Sequence, residues 1–175
     1  MKSEDWHDQF RTLFAEGVKR YRAGQRSVAD FFTPEECEFL ATIGCTGQEL
    51  FDFVEDYTQG GDPTFETVLL VTAIRRQYFL EELQGKSTGH VRQMSEFPAK
   101  TDEIDGIAWL PRIIEKARTK LRGELPPEMM YGCGGDRPFL RRNNLNLPDF
   151  LRFVWKAGED TDSIVDYVKR AAAKA

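Results

Sequence analysis

The sequence predicts an all-α fold: two tandem four-helix repeats, related by a pseudo-twofold and packed as one compact helical domain. Three observations predict it. Apolar residues recur at three- and four-residue spacing, no segment of useful length alternates apolar and polar, and the chain matches itself when slid by 100 positions. In that register Phe39, Leu40, Phe53 and Val54 lie over Phe139, Leu140, Phe153 and Val154. Leu13, Phe14, Gly17, Arg20, Tyr21 and Arg22 lie over Ile113, Ile114, Ala117, Lys120, Leu121 and Arg122. Asp62, Val68 and Ala73 lie over Asp162, Val168 and Ala173, so the register runs through several helices and the turns between them.

Taken in order, Trp6, Phe10, Leu13, Phe14, Gly17, Val18 and Tyr21 make one stripe of a first helix. Leu110, Ile113, Ile114, Ala117 and Leu121 make its counterpart, and both stripes end near a glycine, Gly24 and Gly123. The second helix opens on Thr33-Pro34-Glu35-Glu36. This is a capping box, in which the threonine accepts a backbone N–H, Glu36 reaches back, and proline suits the first turn. Its counterpart opens on Asp136 as N-cap, with Arg137 and Pro138 in the first turn and Phe139 and Leu140 on the buried face. A third helix is expected over 47–57 and again over 148–157. The fourth starts at Asp62-Pro63, with the aspartate as cap, and runs to about Leu83; its counterpart starts near 160–162 and runs into the terminal AAAKA. Residues 84–106 have no period and are rich in Gly, Ser, Pro and mixed charge, which predicts a connection. The organisation is repeat 1 over 4–83, a connecting loop over 84–106, and repeat 2 over 107–173.

Composition narrows the function classes. With 175 residues, 41% hydrophobic and 30% charged, the chain fits one ordered domain. A net charge of -5 argues against nucleic acid as a partner. The start MKSEDWHDQF carries acids where a secretory signal has an apolar run, and nothing approaches the length of a membrane span. Cys37, Cys45 and Cys133 are odd in number and lack paired spacing, which points to reduced thiols and a cytoplasmic setting. His7 and His90 are far apart and no ExxH or CxxC occurs, so no metal is expected. Neither GCGGDR nor QGGDP has Walker or Rossmann spacing, so no cofactor is expected either.

The stretch with most chemistry is Tyr131 to Leu140, YGCGGDRPFL. A thiol among glycines before a helix allows three readings: a plain helix start, an anion-binding nest, or an activated cysteine. The third lacks a base, because nothing in the sequence brings a histidine near Cys133. Arg112, Lys116, Arg118, Lys120 and Arg122 against Glu115 make the preceding helix basic. With Arg141 and Arg142 they offer a patch for an acidic ligand or RNA, though without aromatics nearby to stack bases, or simply a solvated face.

The chain carries WLPRIIEKARTKLRG, then YGCGGDRPFL, then PDFLRFV, in that order. By these motifs, over about residues 97–170, it resembles a bacterial family catalogued as domain of unknown function 5069. Family members often have proline after the cysteine, where this chain has Gly134. The resemblance implies no activity. It singles out Arg112, Lys116, Tyr131, Cys133 and Asp136; with the adjacent Arg137 these are the candidate ligand-binding residues, and a pairing of Arg112 or Lys116 to Asp136 is the alternative that merely pins the loop.

The expectation is a helical module that binds a protein partner or a small ligand, anions included, in a groove between or within its repeats. The alternative is an enzyme of undefined reaction around Cys133, Asp136 and Arg112, and a homodimer is a further expectation.

Overall fold

The protein is described here by a computed structural model covering residues 5–174. Residue 4, the expected start of the first repeat, and the last alanine of AAAKA lie outside the described residues. Helices α1 (Trp6–Arg22), α2 (Pro34–Thr42), α3 (Gly47–Gly60) and α4 (Phe65–Glu81) come first. A hairpin of β1 (Glu103–Ile104) and β2 (Ile107–Ala108) follows, then α5 (Leu110–Arg122), α6 (Asp136–Arg142), α7 (Leu147–Ala157) and α8 (Thr161–Ala172). No helix among the described residues is long and apolar enough to cross a membrane.

The helix starts follow from local chemistry. Thr33 accepts from Glu36 N while the Glu36 carboxylate accepts from Thr33 N, and Thr46 and Glu49 repeat the same box at α3. Asn146 caps α7 by accepting from Asp149 N, and Asp160 caps α8 by accepting from Ser163 N. Two expected caps are wrong. At α4 the cap is Thr64, not Asp62, because the helix opens two residues later. That leaves Asp62 free to accept from Arg137 and Arg141. At α6 the cap position is Gly135, with no side-chain cap, and Asp136 is already inside the helix with its carboxylate turned to the core.

The strand pair corrects an expectation of helices and loops alone. Asp105 and Gly106 have φ of 51° and 75°, the two left-handed positions of a two-residue hairpin turn. Glu103 faces Ala108 and Ile104 faces Ile107 across it, and Lys169 of α8 reaches Asp105 at 2.5 Å. The segment from 84 to 106 is therefore partly structured, with a further 3-10 turn over Met94–Glu96.

One continuous core runs through both halves, from Phe10 to Val168. In the first half α1 packs on α3 and α4, and in the second α5 packs on α7 and α8. The seam is α4 laid against α5 and α7. A true twofold would return that contact, with α8 against α1 and α3. Among the described residues α8 makes no comparable packing there. Helix α4 suits its central place because it is apolar on nearly all sides: Val68, Val71, Ile74 and Phe79 are buried, and Leu69 packs against the core.

Candidate functional site

The YGCGGDR loop is built against the start and middle of α5. Trp109, just after the hairpin, adopts φ of 72°, which a bulky side chain rarely takes. Its indole closes on Gly135, where any Cβ would fall 2.4 Å from Trp109 Cζ2. Glycine at 135 is thus required by close approach. In that position Trp109 Nε1 donates to Asp136 Oδ1 at 2.9 Å. Gly132 N donates to Asp136 Oδ2 at 2.9 Å, and Lys116 Nζ donates to the same oxygen.

Asp136 is fully buried and Lys116 almost so. A buried ion pair persists only when its remaining polar sites are satisfied, and here the indole and the Gly132 amide do that. The anion that a glycine-rich nest would take is therefore supplied by the chain itself, as Asp136. Lys116 also lies 3.2 Å from Cys133 Sγ. Tyr131 is buried and donates its hydroxyl to Leu147 O at 2.8 Å, tying the loop to α7. Burial pushes its phenol well above the ordinary range, with the Asp136 charge adding to the effect.

Two candidates face elsewhere. Arg112 donates to Pro98 O at 2.6 Å and does not join Asp136. Arg137 reaches out of the second half to Asp56 at 2.6 Å and Asp62 at 3.0 Å, and also donates to Gly132 O at 2.7 Å. So Lys116, Tyr131, Cys133 and Asp136 come together, Arg137 clamps them to the first half, and Arg112 stays apart. Trp109 was missed in the sequence, where a lone indole gives no signal of what it will bond. No histidine approaches Cys133: His7 is exposed beside Asp5 and His90 is exposed in the connecting segment.

A second polar cluster lies on the seam. Lys120 Nζ meets Glu49 Oε1 at 2.6 Å, the lysine being buried and the Glu49 side chain 13% exposed. Burial alone would raise the Glu49 carboxyl, but the Lys120 charge and hydrogen bond prevail and hold it below the usual range. Arg75 on α4 is buried too, with Nε and Nη1 unpaired, and packs against Gly123 and the Phe79 ring. Desolvation lowers its pKa, against the pull of Glu49. Farther along the seam is a cleft of about 230 Å³, lined by Tyr78 of α4 and its C-cap Glu82, Arg118, Leu121 and Arg122 of α5, Val154 and Trp155 of α7, and Gly158 and Glu159 just after α7. The Tyr78 and Trp155 rings meet edge to face at 5.5 Å, and Trp155 Nε1 donates to Glu82 at 3.1 Å.

This arrangement defines a helical protein in which the buried Lys116 is paired with Asp136, while the buried Arg75 on the seam keeps two nitrogens without a hydrogen-bond partner among the described residues. Residues 96–175 match the family described as Domain of unknown function (DUF5069). The matched segment takes in the hairpin and α5 to α8, hence the whole Trp109–Lys116–Asp136 cluster but only one wall of the seam. No curated protein and no solved structure matches the chain.

Proposed function

We infer that the protein is a non-enzymatic binding module whose ligand is a small anion with a flat apolar part, held in the cleft between α4 and the α5–α7 pair. The carrying observation is the composition of that cleft. The edge-to-face rings of Tyr78 and Trp155 come from opposite halves, and α5 contributes two guanidinium groups beside them. Arg118 is committed to Glu115, Thr161 and Gly158 O, while Arg122, among the described residues, is paired with its neighbour Glu124 alone and keeps 30% of its side chain exposed. Arginine beside aromatic faces suits a carboxylate or phosphate attached to a ring. The cleft is small for a ligand pocket, which favours a compact molecule. The charge distribution agrees: residues 1–83 carry 8 Lys and Arg against 16 Asp and Glu, whereas residues 84–175 carry 16 against 13.

The enzyme alternative has less support, since Asp136 is consumed by its own partners and Arg112 is directed to Pro98. We also read the two halves as tandem copies of one four-helix unit. Thr46 and Asn146, 100 apart, cap α3 and α7 in the same way. Arg20 pairs with Glu36 at 2.7 Å as Lys116 pairs with Asp136, so each copy ties the start of its second helix to its first helix. Three free thiols fit a bacterial cytoplasm.

The test is a nuclear magnetic resonance titration with benzoate and, for sign, benzylamine. Saturable shifts of the Trp155 indole N–H with benzoate, weakened in Arg122→Gln and absent with benzylamine, are expected. No saturable shift with either probe would remove the cleft as a binding site.

A further inference from the structure

We propose that Cys133 and Lys116 form an oxidant-driven covalent bridge, a sulfenamide joining Sγ to Nζ. The two atoms stand 3.2 Å apart before any reaction. Their surroundings separate the two things such a bond needs. Cys133 is only half-buried and open to a small oxidant, whereas the Lys116 amine is buried and shielded from water.

The loop and the helix are both held in place, so the pair is preorganised. Asp136 fixes Lys116 on one side while accepting from Trp109 and Gly132, and Tyr131 and Arg137 anchor the loop to α7 and the first half.

The chemistry balances with hydrogen peroxide as oxidant. Peroxide oxidises the Cys133 thiol to a sulfenic acid and is itself reduced to one water. Asp136, already hydrogen-bonded to the Lys116 ammonium, accepts its proton and leaves a free amine. The amine lone pair attacks Sγ, the S–O bond breaks, and the departing hydroxide leaves as a second water with a proton from nitrogen. The net change in the protein is the loss of two hydrogens and the gain of one S–N bond. A thiol reductant returns the cysteine and the lysine.

The bridge ties the middle of α5 to the loop before α6 and replaces an ion pair by a covalent tie. Its effect is to lock the family-matched half in one arrangement under peroxide.

The experiment treats the full chain carrying Cys37→Ser with peroxide and analyses intact mass and tryptic peptides. Expected is a product lighter by two hydrogens, a linked peptide joining Lys116 to Cys133, no tryptic cut after Lys116, and full reversal by dithiothreitol. Dimedone, which traps sulfenic acid, should label Cys133 and suppress the link in proportion. Lys116→Arg keeps a cation for Asp136 and should yield the sulfenic or sulfinic acid without a link. Because that variant risks misfolding, the dimedone competition on the unaltered pair stands by itself. Accumulation of Cys133 sulfenic or sulfinic acid with Lys116 still cleavable would overturn the proposal. A linked product heavier by one oxygen, an N–O–S bridge, would overturn the sulfenamide chemistry.

Discussion

Lys120 of the second half and Glu49 of the first half are paired at 2.6 Å across the seam, with the lysine buried and the carboxylate largely so. Glu49 is at once the capping-box partner of Thr46 and the counterion of Lys120, so one carboxylate starts α3 and joins the halves. Removing one partner of a buried pair strands the other. Lys120→Met is expected to cost about 3–5 kcal/mol in urea unfolding. Lys120→Met with Glu49→Gln should recover part of that loss, because no unpaired charge is then left inside. A double variant less stable than the single one would refute a pairing role.

The same reasoning separates the candidates around Asp136. Asp136→Asn leaves Lys116 buried without a counterion and should cost about 3–5 kcal/mol. Arg112→Ala, which loses only a bond to Pro98 O, should cost about 1 kcal/mol. Equal losses in thermal unfolding would mean that Arg112 does more than its geometry shows.

Two adjacent glycines make a sharper contrast. Gly135→Ala drives a methyl to 2.4 Å from the Trp109 ring and should cost about 2 kcal/mol or more, with the indole displaced from Asp136. At Gly134 the nearest atom to an added Cβ is Arg137 Nη2 at 4.0 Å, so Gly134→Ala should be nearly neutral. Tryptophan fluorescence together with unfolding midpoints reads both effects.

Asp52 gives a pH dependence. Burial pushes its carboxyl up to about 6 from an ordinary 3.8; the Gln48 hydrogen bond opposes this and the Glu55 and Glu49 charges add to it. Between those values the folded state binds the proton that the unfolded chain has lost, so stability falls as pH rises through this window. Asp52→Asn should flatten stability between about pH 4 and 6 and add about 1–2 kcal/mol at pH 7. An unchanged slope would place the titration elsewhere.

The thiols should differ in reactivity. Cys45 is buried, and desolvation with the nearby Glu49 charge pushes it up to about 12, so native alkylation should spare it while exposed Cys37 reacts. Mass mapping after brief iodoacetamide treatment checks this, and early Cys45 labelling would contradict it.

What could be read in advance was local. The capping box at Thr33, the stripes of α1 and α5 and the glycine ends need only neighbours a few residues away, and they stand as expected. The caps at Asp62 and Asp136 failed because an acid before a helix has two uses. At both positions an arginine or lysine distant in sequence claimed the carboxylate. The hairpin failed because each strand is two residues long and leaves no alternation to see. Of the two options for Asp136, Lys116 rather than Arg112 was settled by direction along α5. Lys120 and Glu49 are 71 positions apart, and only the packing of α4 between the halves brings them together.

That shared helix has a consequence for chain length. The matched stretch begins at Glu96, after α4 has ended, yet α4 is what covers the apolar face of α5 and α7. A polypeptide containing only residues 96–175 would bring its own four helices and leave that face wet. The expectation is that such a fragment self-associates, one molecule lending its surface to another, while the full chain carries its lid in cis. Sedimentation of the fragment beside the full chain decides the matter: a fragment that stays folded and monomeric at all concentrations would mean that α4 is ornament to the second half.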